Sequence, residues 1–374
     1  MTSRQQYTEG FLEEPGYLDY GRVGPLSASV VAETLGHTEL LSRARYGTLM
    51  ELERQDERMR RAVSAVTRFR ADQVVFQPDT STGLMHAMFG LTGGLLVSPA
   101  DFPSVPYAAV RAAEALHVVT PTWLETDHGG VTPGQVRDQL TPAIAAVAVC
   151  LVDSRTGHLA DLEGIRQVIG DRLLIVDAIQ GFGVIDAPYE LADVVVSGGQ
   201  KWARAGRGTG FLAVSDNGRE RLTPVFSGYT GTDADEGTWD EVMAPARGAN
   251  AFRVSDGDDI AKARLAAAVE DIDAAGIAWI QETITNTVTH VIDLADEFAV
   301  PVISSRDERE RAGMIVLEPP AEQLTLLSAS LHNHGLTATT RLGTVRLSVH
   351  VGTTPETLGM LRAALTSYST AATY

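Results

Sequence analysis

The apolar run Ala145-Ala-Val-Ala-Val-Cys-Leu-Val152 constrains this chain more than any other feature. A strand built from such a run carries no polar alternation, so both its faces must be covered. A parallel sheet layered between helices meets that condition. The surrounding sequence follows the same plan. Val74–Phe76, Leu95–Ser98, His117–Thr120, Leu173–Val176, Asp193–Ser197 and Phe211–Val214 read as further short strands. Helices are predicted between them over Thr82–Leu91, Ser104–Leu116 and Asp161–Ile169, the first opened by the capping run Asp79-Thr-Ser-Thr82. Strands alternating with helices imply a mostly parallel α/β sheet. Ligands of such sheets bind outside the carboxyl ends of the strands. Thr80, Ser154, Asp177 and Lys201 all follow apolar runs at that end.

Residues 227–259 are rich in Gly, Asp and Thr and are expected to form loops that reach a partner subunit. Helices over Ile260–Ala275 and Trp279–Ala299 follow. A strand at Met314–Leu317, a helix at Leu324–His334, a strand at Val345–Val349 and a helix at Pro355–Ser367 then predict a smaller second α/β unit. A chain of 374 residues, 44% of them apolar, is long enough for one large and one smaller domain. The formal charge of −18 argues against a nucleic-acid or anionic-membrane partner, because phosphate contact needs clustered cations. The single cysteine, Cys150, lies inside the apolar run and reads as a small buried hydrophobe. His332 and His334, two apart, cannot share a helical face, and no metal site is expected. No window is long and apolar enough for a membrane span, and the N-terminal residues lack the apolar core of a signal peptide, so the cytoplasm is the expected location.

Lys201 stands in the run Asp193-Val-Val-Val-Ser-Gly-Gly-Gln-Lys-Trp202, at the mouth of a buried strand. A lysine amine attacks an aldehyde only when unprotonated, and its ordinary pKa is about 10.4. Burial or a neighbouring cation lowers that value, and Arg204 and Arg207 are close in sequence. Asp177 ends the apolar run Leu173-Leu-Ile-Val176, where an ionised carboxylate needs a cationic partner. The nitrogen of a pyridinium ring supplies one, in a pairing that makes pyridoxal phosphate (PLP) an electron sink. The hydroxyls and amides of Thr80 and Ser81, at a helix start, suit a phosphate, and Ser197 and Gln200 are candidates for the same group. Phe102 follows a strand end, where it can stack on an aromatic cofactor.

Taken in order, these segments resemble the class V aminotransferases of PLP fold type I, a family that includes cysteine desulfurases, C–S lyases, kynureninase and isopenicillin N epimerase. Tyr17-Leu-Asp-Tyr-Gly-Arg-Val-Gly-Pro25 is similar to the family's opening segment Y-L-D-N-A-A-x-G-P. Phe76 to Leu84 resembles the phosphate loop, with Thr80 and Ser81 at the binding positions. Asp101-Phe102 stands at the family's E-H pair, whose second residue stacks on the cofactor ring. Val152-Asp-Ser-Arg-Thr-Gly157 resembles H-V-S-N-x-T-G and implies Ser154 near the cofactor. Asp177-Ala-Ile-Gln180 matches D-A-x-Q, which implies Asp177 at the ring nitrogen and Gln180 at the phenolic oxygen. Ser197-Gly-Gly-Gln-Lys201 matches S-x-H-K, which implies Lys201 as the Schiff-base lysine. Arg341-Leu-Gly-Thr-Val-Arg-Leu-Ser-Val-His350 resembles R-x-G-x-x-R-x-S-x-H, which implies that Arg346 grips the substrate carboxylate, with His350 nearby.

The resemblance implies a large domain over 16–255 with a mostly parallel seven-stranded sheet, and a small α/β domain formed by 1–15 and 256–374. It also implies a homodimer, with Ser255 as the hydroxyl that would meet the neighbouring subunit's phosphate. The departures bear on the reaction. Phe102 replaces an aromatic His and cannot move a proton. Gln200 replaces the His before the lysine, and Ser154 replaces Asn. No cysteine lies in the C-terminal half, where a persulfide-forming desulfurase carries a mobile one. The expectation is a PLP enzyme acting on an α-amino acid by C–S lyase-type β-elimination without a persulfide cysteine. An aminotransferase or epimerase of the same family is the alternative, and a relative that binds a ligand without turnover is the alternative of another class. A dinucleotide-binding oxidoreductase fares poorly, because no G-x-G-x-x-G joins the first strand to its helix.

Overall fold

The computed structural model describes residues 2–126, 130–233 and 240–372; part of the 227–259 loop segment, residues 234–239, lies outside the described residues. Its larger sheet contains β1 (Val74–Phe76), β2 (Gly93–Val97), β3 (Val119–Trp123), β4 (Ile144–Cys150), β5 (Leu173–Asp177), β6 (Val194–Gly198) and β7 (Gly210–Val214). The spatial order is β1-β7-β6-β5-β4-β2-β3. Strands β6, β5, β4, β2 and β3 pair in parallel, and β7 runs antiparallel to both β6 and β1. The seven strands and the mostly parallel order agree with the expected fold class. All five residues of each of β5, β6 and β7 are buried.

Each predicted strand of this sheet is present, with ends that differ by a residue or a few. The helix Ser104–Leu116 has the predicted limits. Thr80–Gly90 starts two residues earlier than the pattern suggested. Asp79 is its N-cap and accepts from Thr82 N at 2.8 Å, so Thr80 and Ser81 already belong to the first turn.

The smaller sheet is β8 (Met314–Leu317), β9 (Thr339–Arg341) and β10 (Thr344–Ser348), in the order β8-β10-β9 and antiparallel throughout. Strand β9 was not expected. It has three residues, two of them threonine, and is largely exposed, so it carries no apolar signal. Two long helices also lay outside the sequence reading, Ala28–Arg43 and Thr48–Thr67. They pack against the helix Asp259–Ala275, so the core runs across position 255. The N-terminal segment bridges to the small sheet through Tyr17 with Thr337 and Asp19 with Ser348. These bridges bring the 17–25 turn to the carboxyl ends of the large sheet, beside the loop that follows β6.

Candidate active site

A cavity of about 480 Å³ opens at the carboxyl ends of the parallel strands. Lys201, Asp177, Phe102, Thr80, Ser81 and Gln200 all line it. These six residues come from the ends of β1, β2, β5 and β6, so the sheet itself sets their spacing. Arg22 and Arg207 line it too, and neither was named as a site residue from the sequence.

Lys201 is 9% exposed, and burial pushes its amine down to about 8. The Asp177 carboxylate opposes that shift and the Arg346 guanidinium adds to it. The cationic neighbour is thus Arg346, not Arg204. Arg204 turns away into the core, where it pairs with Glu13 at 3.1 Å, donates to Pro25 O at 3.0 Å and lies 3.5 Å over the Phe11 ring. The Lys201 ammonium nitrogen lies 5.1 Å from the centre of the Phe102 ring.

Asp177, at the last position of β5, is 2% exposed. Its Oδ1 accepts from Ile179 N at 3.1 Å, and its Oδ2 has no partner. Burial pushes this carboxyl up to about 6. A buried acid with an unused oxygen facing a cavity is a demand for a donor. The protonated nitrogen of a pyridine ring meets it, Phe102 offers the ring a flat apolar face, and Lys201 offers an amine for its aldehyde. Ser81 Oγ sits 2.8 Å from Ser104 Oγ, beside Thr80 at the first turn of an eleven-residue helix, a suitable seat for a phosphate arm. The residues present therefore fit the expected cofactor.

The other sequence candidates are placed differently. Ser197 is fully buried in β6 and donates to Gly198 O at 3.0 Å, while Gly198 N donates to Thr80 Oγ1 at 2.8 Å. Gln180 lies behind the cavity. It donates to Gly21 O and accepts from Trp202 Nε1, both at 2.9 Å. Ser154 meets Arg346 through its carbonyl, which accepts from Nη1 at 3.2 Å. Arg346 is held near Asp19, with Nη2 3.7 Å from Oδ1. Ser255 is exposed, donates to Asp256 O at 3.4 Å, and does not line the cavity.

His350 lies in an aromatic nest of Tyr7, Phe11, Tyr20 and Trp202 rather than in the cavity. Its Nε2–H donates to Trp202 O at 3.1 Å, and Nδ1 accepts from Val351 N at 2.8 Å. Both ring nitrogens are thus occupied. Burial and the charge of Arg204 push the imidazole down to about 3, so it stays neutral.

Three acids at the site were not assigned roles from the sequence. Asp19 is buried and accepts from Thr339 Oγ1 at 2.7 Å. Asp101 and Asp153 are buried, and each keeps an Oδ2 without a partner, as Asp177 does. Burial and the neighbouring Asp153 push Asp101 up to about 8. Cys150, at the end of β4 and paired in register with Asp177, is fully surrounded, and burial raises its thiol well above the ordinary range. Of the three, Asp153 carried a signal, its position just after the apolar run Ala145 to Val152.

The class-V aminotransferase family profile matches residues 38–373. No curated protein sequence matches the chain. Among solved structures, a cysteine desulfurase from Thermococcus onnurineus NA1 is 19% identical, with 93% of each chain covered and a TM-score of 0.83. A lysine-to-alanine mutant of C-DES, with glycine covalently linked to its PLP cofactor, is 16% identical, covers 96% of this chain and 98% of its own, and has a TM-score of 0.87. The cystine C–S lyase C-DES in complex with its product cysteine persulfide is also 16% identical, with 95% and 98% covered and a TM-score of 0.85. At these identities the likeness is one of fold. With the family profile spanning nearly the whole sequence, this chain belongs to the class-V aminotransferase family and has PLP fold type I.

Proposed function

We propose that this chain is a PLP-dependent enzyme of α-amino acids, and that its reaction is β-elimination of the C–S lyase type. One observation carries the reading. Lys201, Asp177 and Phe102 face a single cavity, and with Asp177 committed to the ring nitrogen Lys201 is, among the described residues lining it, the side chain left to take and return a proton.

When bound, PLP supplies an electron sink for negative charge at the substrate α-carbon. Asp177 holds a carboxylate against the ring nitrogen. Thr80, Ser81 and the first helical turn receive the phosphate. Phe102 covers the ring and excludes water, without moving a proton. Arg346 holds the substrate α-carboxylate, braced by the Ser154 carbonyl and by Asp19. Lys201, whose amine burial pushes down to about 8, takes the α-proton and returns one to the departing thiolate. Elimination releases the thiol and aminoacrylate, and water then hydrolyses the aminoacrylate to pyruvate and ammonia. A single proton carrier supports elimination over epimerisation, which needs a second carrier on the opposite face. Cys150 is enclosed behind Asp177, and this supports a route without a persulfide on the protein.

The reading extends to the assembly. Tyr229, Val254 and Met243 are exposed apolar side chains in the loops before Asp259, which suits a homodimer joined there. The test is a product screen on the PLP-loaded protein with cysteine, cysteine conjugates, alanine and glutamate. Thiol together with pyruvate is expected from the conjugates. Amino transfer to a keto acid without thiol release would replace elimination with transamination. The Lys201→Ala protein is expected to lose both the yellow absorbance and turnover, and turnover retained without Lys201 would overturn the assignment.

A further inference from the structure

Arg22 occupies a turn that the structure fixes from several sides. The N–H groups of Arg22 and Val23 both donate to Asp19 O, at 3.0 and 3.1 Å. Gln180 Nε2 holds Gly21 O, and Gly24 N donates to Gln200 O at 2.8 Å. The packing on either side admits no side chain. A Cβ at Gly24 would overlap the Lys201 carbonyl oxygen, and one at Gly21 would lie 2.9 Å from Ser348 Oγ and 3.4 Å from the guanidinium carbon of Arg346. Arg22 therefore stands at a set position between the Lys201 backbone and Arg346.

Its side chain lines the cavity while remaining 72% exposed. It is tied only loosely, with Nη1 3.9 Å from Asp19 Oδ2. The same carboxylate faces Arg346 at 3.7 Å, so one anion serves two guanidinium groups and a positive charge is left over. Arg207 lines the same mouth. Two arginines at the mouth and a third, Arg346, joined to Arg22 through Asp19, are in a chain of net charge −18 a local arrangement and not a reflection of composition. The family's opening segment carries alanine where Arg22 stands.

We propose that Arg22 sets substrate specificity by binding a second carboxylate at the end of the substrate side chain, while Arg346 holds the α-carboxylate. The inference rests on the amino-acid reading above. A guanidinium fork suits a planar carboxylate in two-point fashion, and a guanidinium is more weakly hydrated than an ammonium, so Arg22 exchanges water for a carboxylate readily. Arg207 adds to the attraction without needing contact.

The experiment titrates the PLP-loaded protein with aspartate, asparagine, glutamate and glutamine, and reads the change in cofactor absorbance as each amino acid binds. The dicarboxylates are expected to bind about tenfold more tightly than their amides, a difference suited to one charged hydrogen-bonded pair. In Arg22→Ala the ratio collapses toward one, and Arg22→Lys restores part of it. Arg346→Ala weakens both members of each pair alike. Amino acids that bind without preference for the acid, or a preference that survives Arg22→Ala, overturn the proposal and leave the functional reading intact. A protein that takes up no PLP, or whose spectrum responds to no amino acid, overturns both.

Discussion

Two buried aspartates at opposite ends of the large sheet have opposite surroundings. Asp193, just before β6, is 5% exposed and every oxygen of its carboxylate is occupied. Oδ2 accepts from Arg166 Nη2 at 2.6 Å and Leu174 N at 2.9 Å, and Oδ1 accepts from Asn217 Nδ2 at 2.7 Å and Ser215 Oγ at 3.2 Å. Asp177, at the end of the neighbouring β5, is buried as deeply but accepts one bond and keeps one oxygen idle. The amino end of the sheet is finished by its own chain. The carboxyl end is left wanting a donor from outside. A saturated acid stabilises a fold, whereas an unsaturated one is kept at a cost to the empty protein because a ligand completes it.

The contrast can be broken most directly by exchanging the two acids' fates. Asp177→Asn is expected to lower turnover of the PLP-loaded protein at least about 100-fold, in the range assigned to a single acid–base or charge-holding group. The melting temperature of the cofactor-free protein should hold or rise, because a buried carboxylate without a full set of partners has been removed. A clear drop in melting temperature would put Asp177 among the structural acids.

Asp193→Ala should do the reverse. Removing one member of a buried ion pair costs about 3 kcal/mol of stability, to be read from urea unfolding. The fraction that remains folded should keep its kcat and its cofactor spectrum.

A third, smaller effect appears with pH. Burial pushes Asp177 up to about 6, while an aspartate in the unfolded chain titrates at about 3.9. Between those values the folded chain holds a proton that the unfolded chain has released. Stability of the protein without added cofactor therefore falls as pH rises across this window. Asp101, pushed up to about 8, prolongs the decline. Comparing unfolding of wild type and Asp177→Asn at a series of pH values should show a shallower decline below about 6 in the variant, with the part due to Asp101 retained. Identical curves would show that Asp177 does not resist ionisation.

The smallest effect is kinetic. Capture of PLP by the protein requires neutral Lys201, so its rate should climb with pH with a midpoint around 8, below that of an ordinary lysine. Asp177→Asn removes the charge that raises this amine, so the midpoint should move lower still.

The sheet was legible because its strands are apolar on both faces, and a run such as Ala145 to Val152 has no other stable setting. Lys201, Asp177, Phe102, Thr80, Ser81 and Gln200 were legible because each directly follows or caps such a strand, and the sheet delivers strand ends to one place. Residues whose position depends on distant packing were harder to read. Arg22 shares Asp19 with Arg346 only because the N-terminal turn lies against the small sheet, an arrangement that no local pattern announces. His350 was expected near the substrate from its motif alone, but the aromatic rings around it come from residues 7–20 and from Trp202, both distant in sequence. The helix Thr48–Thr67 did carry a signal. Leu52, Met59, Val63 and Val66 recur at helical spacing and are buried together.

The hydrogen bond from the Trp202 indole to Gln180 has a practical consequence. The same Gln180 amide grips the Gly21 carbonyl, so a buried fluorophore is wired through one side chain to the turn that carries Arg22. Any ligand that tugs on that turn alters the polarity felt by the indole. The emission of Trp202 is thus an optical gauge, already part of the chain, for substrates that make no colour change of their own.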